Sequence, residues 1–189
     1  WNGTSWSEDT DLNVARQTLG GTAANNTSAL ACGGDAPGQT PSYVADTEEF
    51  TGAGADIGAF SPCGNMNTAR TYPAGAGASS DSALVFGGDS GSPTAATEKY
   101  NGSTWTEVND LNTARGQLAG VGTQTAALAF GGEAPPISAD TESFNGTSWT
   151  ELNNLNTARQ VMGAAGTSTS GLAFGGEAPG NVAITESWN

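Results

Sequence analysis

Hydrophobic positions along the chain come in short bursts rather than long runs. ALAC (Ala29–Cys32), ALVF (Ala83–Phe86), ALAF (Ala127–Phe130) and GLAF (Gly171–Phe174) each end at a Gly-Gly pair. A short polar-aromatic stretch follows each pair: TEEF, TEKY, TESF or TESW. Bursts of this length, bounded by Gly, Pro, Asn and Asp, predict strands. Asn-Gly then precedes a Trp at Asn2-Gly3, Asn101-Gly102 and Asn145-Gly146. That dipeptide favours the paired positive φ angles of a tight hairpin turn.

The bursts recur in a fixed order. The segments from Tyr100 and from Phe144 are nearly interchangeable, Trp1 opens a third copy, and Phe50 opens a diverged one that keeps NTAR, ALVFGGD and TEKY. Arg16, Arg70, Arg115 and Arg159 are spaced 54, 45 and 44 residues apart. The Gly-Gly pairs at Gly33, Gly87, Gly131 and Gly175 are spaced 54, 44 and 44. Each copy holds four strand candidates: a small-residue stretch after the Arg, the burst before Gly-Gly, the TESF-like stretch, and the Trp segment. Four antiparallel strands at this period predict a propeller blade.

An apolar strand ending in Gly-Gly, an aromatic about a dozen residues on, then a Trp, then an Arg resembles the kelch repeat, across the whole chain. The copies differ in being Ala/Gly-rich and in lacking a bulky first strand. Their NGTSWTE–LNTAR–GG flavour also resembles tandem repeats in predicted proteins of marine phages and environmental bacteria. The expected fold is therefore all-β: a four-bladed kelch-like β-propeller forming one domain over 1–189. Its blades are expected at about 16–64, 70–109, 115–153, and 159–189 plus 1–9.

The last blade draws on both ends. Thr185–Asn189 reads as a third strand with no fourth after it, and Trp1–Trp6 as a fourth strand with no first three before it. The N-terminal strand is expected to complete the last blade and close the ring, which removes an unpaired edge. The rival reading is a slice of a longer array. Phe86, Phe130 and Phe174 are expected between blades, with Trp6, Phe60, Trp105 and Trp149. Leu12, Met66, Leu111 and Leu155 are expected at the crossings. The Gly- and Ala-rich first strands suit crowding near the axis.

Composition tests this picture. Leu, Ile, Val and Phe make up about 14 % of the 189 residues and the formal charge is −14, values that ordinarily mean disorder. The repeat overrides that expectation, because a few aromatics and Leu at fixed places per blade supply the core. Five cations in total argue against nucleic acid, and against anionic membrane surfaces. No apolar run approaches the ~18 residues that span a bilayer, so membrane insertion is not expected. The chain has no His, which removes the usual general base, zinc ligand and nucleophile partner. It begins at Trp1 with no visible signal peptide, as expected of a processed or excised piece.

Candidate chemistry follows the repeat. Arg16, Arg70, Arg115 and Arg159 are expected to be structural, pairing with the repeat carboxylates Glu48, Glu98, Glu142 and Glu186. The alternative is a ring gripping an anion. Asp35, Asp89, Glu133 and Glu177, one after each Gly pair, form a candidate ligand or metal face near Asn13, Asn67, Asn112 and Asn156. Such oxygens suit Ca²⁺ or a polyhydroxy ligand, and the rival is a solvated acidic rim. No other metal or cofactor is expected. Cys32 and Cys63 both replace apolar repeat residues in one blade and form a candidate disulfide, which would mean an oxidising, extracellular setting. The diverged hairpin at Thr51–Ala59 breaks the fourfold pattern, as functional loops often do.

The function expected is a non-catalytic interaction or structural module of a virion or extracellular surface, contacting protein partners or identical subunits. The alternative is a glycan-binding propeller adhesin. An enzyme is not expected: kelch-like copper oxidases need His ligands.

Overall fold

Each repeat folds as one antiparallel sheet whose strand order is its chain order. The computed structural model describes residues 11–25, 27–51 and 59–189. The first sheet is β1 (Gly20–Asn25), β2 (Ser28–Cys32), β3 (Thr47–Thr51) and β4 (Ala59–Pro62). The second is β5 (Ala74–Ser79), β6 (Ser82–Phe86), β7 (Thr97–Tyr100) and β8 (Trp105–Val108). The third is β9 (Ala119–Thr123), β10 (Ala126–Phe130), β11 (Thr141–Phe144) and β12 (Trp149–Glu151). The fourth has three strands, β13 (Gly163–Thr167), β14 (Ser170–Phe174) and β15 (Thr185–Trp188). There is no helix among the described residues. The sheets follow one another around a common axis, the arrangement of a four-bladed β-propeller. The expected N-terminal fourth strand (residues 1–9, with Trp6) and most of the diverged hairpin lie outside the described residues.

The first strands face the axis, and successive ones pack side by side. Their small residues are required there. A Cβ on Gly75 would lie 2.9 Å from the carbonyl oxygen of Gly21, and one on Gly120 would lie 2.4 Å from the Phe86 ring.

Strand alternation gives every blade two apolar faces. β6 sends Leu84 and Phe86 toward the third blade, where they meet Ala127, Ala129, Phe144 and Trp149. Its other face carries Ala83 and Val85, which join Tyr100 and Trp105 against Leu30 and Cys32 of the first blade. Leu128 and Phe130 repeat the first pattern against Ala173 and Trp188. Phe86, Leu84 and Leu128 are fully buried, each contributing about 1.5–3 kcal/mol of transfer free energy. Trp149 is fixed from three directions. Its ring lies 4.8 Å from Phe86 and 5.0 Å from Phe144, and its Nε1–H donates to Thr97 Oγ1 at 3.1 Å.

Three expectations change at this level. Phe174 is not enclosed between blades: it is 43 % exposed, and no core cluster of the described residues joins it to the first blade. Phe60 and Leu12, at the other end of the array, are half-buried. The two described Asn-Gly hairpins use one positive φ rather than two, while Asn2-Gly3 lies outside the described residues. Gly102 and Gly146 adopt φ of 91° and 94°, while the Asn side chains stabilise longer loops. Asn101 Oδ1 accepts from the backbone N–H of Ser103 and Thr104, and Asn145 Oδ1 from those of Thr147 and Ser148.

Trp149→Ala removes an indole packed between two blades and is expected to cost about 3–5 kcal/mol. Thermal denaturation should show a melting temperature lower by several degrees. An unchanged melt would remove Trp149 from the core.

Candidate functional site

The polar repeat residues converge on one construction per blade. In the third blade, Arg115 reaches back from the segment that leads into the sheet. Its Nη1 donates to the carbonyls of Gly131 (2.8 Å) and Asp140 (2.6 Å), and its Nη2 to Glu142 Oε1 at 2.8 Å. Glu142 Oε2 accepts from the backbone N–H and the Nδ2 of Asn112, at 2.7 and 2.8 Å. Arg70, Glu98 and Asn67 make the same bracket in the second blade. Arg16, Glu48 and Asn13 make it in the first, with an ion pair of 2.9 Å. Arg159, Glu186 and Asn156 make it in the fourth, at 3.1 Å. All four guanidinium side chains are buried.

The bracket forms because sequence puts its parts in reach. The Gly-Gly corner turns the chain through φ of 63° and 106° at Gly131 and Gly132, which L-residues rarely adopt. That turn aims the Gly131 carbonyl at the arginine. A Cβ on Gly131 would lie 2.5 Å from the Arg159 carbonyl of the next blade, so the corner also sets the blade spacing. The planar guanidinium fork then satisfies two backbone carbonyls and a carboxylate at once.

Electrostatics follow from this burial. Desolvation lowers the Arg70 and Arg115 pKa values, opposed by Glu98 and Glu142 respectively. Burial pushes Glu186 up, but the Asn156 donors and then Arg159 outweigh it and hold the carboxyl below its ordinary range. The remaining cation, Lys99, is engaged too. Its Nζ donates to the Gly146 carbonyl at 2.5 Å and sits 5.2 Å from the centre of the Phe144 ring.

The four acids after the Gly pairs do not converge. Among the described residues no group of three or more carboxylate or thiol side chains is placed to hold a metal ion. Each acid instead pairs through its backbone with the residue after the repeat arginine: Asp35 with Gln17, Asp89 with Thr71, Glu133 with Gly116, and Glu177 with Gln160. Asp35 Oδ2 also accepts from Gln17 Nε2 at 3.1 Å, Glu133 from Gln117 at 2.6 Å, and Glu177 from Gln160 at 3.4 Å. Asp89 Oδ1 accepts from the Gly91 N–H at 2.7 Å. The repeat Asn side chains, expected beside these acids, are spent on the brackets.

Cys32 and Cys63 are free thiols that pack in and against the same cluster. Burial pushes Cys32 up to about 12, so it remains protonated and unreactive at neutral pH.

Sequence reasoning missed one feature. Thr18, Tyr72, Gln117 and Val161, two residues after each repeat arginine, all adopt φ between 51° and 55°. They line an opening of about 290 Å³ together with Leu19, Pro73, Leu118 and Met162. None of the four is Gly or Asn, so no residue-type signal marks the turn. The signal available was positional: the same offset from each arginine.

No family model matches the chain, and no curated protein matches it.

Arg115→Met strands Glu142 in the interior and is expected to cost about 3–5 kcal/mol. Adding Glu142→Leu should recover much of that loss, as read by denaturant midpoints. A group with a depressed folded-state pKa stabilises above its unfolded value and loses that contribution as pH falls through the folded one. Stability should therefore hold near neutral pH and decline on acidification below about pH 4.3, the ordinary Glu value. Glu186→Gln should flatten part of that decline.

Proposed function

We propose that the chain is a non-catalytic interaction module of kelch-repeat type, acting within a virion or extracellular surface assembly. One observation carries this reading. All five cations of the chain are engaged internally, four in the brackets and one over Phe144. The repeat Glu and Asn residues are consumed by the same brackets. What faces solvent is an acidic scaffold that can act through shape and surface. The Gly-Gly, aromatic and Arg spacing supports the kelch class, and the likeness to phage repeats supports the virion setting.

Tyr72 favours a second reading. It is 41 % exposed at the axial opening, where an aromatic ring offers a sugar a stacking surface, as in a glycan-binding adhesin. A glycan array distinguishes the two. The scaffold reading expects no reproducible saturable binding. Saturable binding of one sugar class that Tyr72→Ala abolishes would replace it with the adhesin.

A further inference from the structure

The interfaces between successive blades share one set of contacts, and the two ends of the array each keep half of that set. At every described interface, four backbone hydrogen bonds join a blade to the next. The glycine N–H donates to the next arginine carbonyl: Gly34 to Arg70, Gly88 to Arg115, Gly132 to Arg159. The arginine N–H donates back: Arg70 to Val44, Arg115 to Thr94, Arg159 to Ser138. The crossing residue donates likewise: Met66 to Ala45, Leu111 to Ala95, Leu155 to Ala139. The positive-φ residues are linked in series, Tyr72 N–H to Thr18, Gln117 to Tyr72, and Val161 to Gln117.

The fourth blade should offer Gly176 N–H and the carbonyls of Val182, Ala183 and Val161 to a following blade. None of these has a hydrogen-bond partner among the described residues. The first blade carries the matching half: the N–H groups of Leu12, Arg16 and Thr18 and the Arg16 carbonyl, likewise without a partner among the described residues. The apolar halves match as well. Leu172 and Phe174, both 43 % exposed, occupy the places where Leu84 and Phe86 are fully buried. Val161 and Ile184, also of the fourth blade, are exposed as well, at 53 % and 37 %. At the opposite end Phe50 and Phe60, 5.1 Å apart, are half-buried where Phe144 and Trp149 receive Phe86.

We propose that the outward face of the fourth blade binds the first blade of a second copy of this chain, head to tail. The contact continues an interface that the chain already makes three times within itself. Among the described residues no backbone hydrogen bond joins the two half-sets, and Phe174 remains 43 % exposed. A contact of this kind joins two different surfaces, so it closes into a ring of subunits or extends as a chain. An apolar patch with matched polar groups at its margin is the signature of such a surface. This specifies a partner for the module proposed above. Its failure would leave that module open to other partners.

Light scattering across a wide concentration range, on the full chain, tests the proposal. The expected mass rises from 18.8 kDa to multiples of it. Phe174→Asp and, separately, Leu172→Glu should hold the mass at that of one chain while the far-ultraviolet circular dichroism stays unchanged. Both side chains are exposed, so the fold does not depend on them. Phe60→Asp should block the opposite end. Mixing Phe174→Asp with Phe60→Asp chains should give a one-to-one pair that grows no further. A wild-type chain that stays monomeric throughout would overturn the proposal. So would variants that assemble like wild type, or a mixture that does not pair.

Discussion

The buried arginine–glutamate bracket is the constraint from which the rest of the architecture follows. A four-stranded blade cannot bury both of its faces alone; it needs a neighbour at a fixed distance. The bracket supplies that fixed point by tying the segment leading into a blade to the corner and third strand of the same blade. It holds Asn112 beside Glu142 and, through the Gly131 corner, sets where the next blade begins. Placing a guanidinium and a carboxylate in the interior is costly unless every donor and acceptor finds a partner. Two backbone carbonyls, the carboxylate and the asparagine largely meet that demand. The Nε of Arg16, Arg115 and Arg159 is the part left without a partner.

Much of the fold was legible because the repeat states it four times. The bursts before Gly-Gly became the second strands, the TESF-like stretches the third, and the small-residue stretches the strands nearest the axis. Glycine and alanine, which made the composition look disordered, are there because backbones approach too closely for larger residues. Phe86 and Trp149 illustrate how few large side chains suffice when each sits between two blades.

Other parts were less legible for physical reasons. The exposure of Phe174 depends on what lies beyond the fourth blade, which its sequence, identical in kind to that around Phe130, does not express. The turn at Thr18, Tyr72, Gln117 and Val161 uses residue types that disfavour positive φ, so local preference pointed away from it and tertiary hydrogen bonds decided it. For the candidate site, the residues were visible but their partners were not. The acids after the Gly pairs looked like a converging ligand set, yet backbone pairing within each blade sends them to separate neighbours.

If the bracket governs the architecture, it makes loop segments as rigid as the sheets. Asn67 and Asn112 lie outside any strand, and their backbone N–H groups are bonded only to a buried carboxylate. Native-state amide hydrogen exchange measures this directly. These two amides should exchange as slowly as those of β6 and β10. Exchange at the rate of the exposed Asn101 and Asn145 loops would contradict the account.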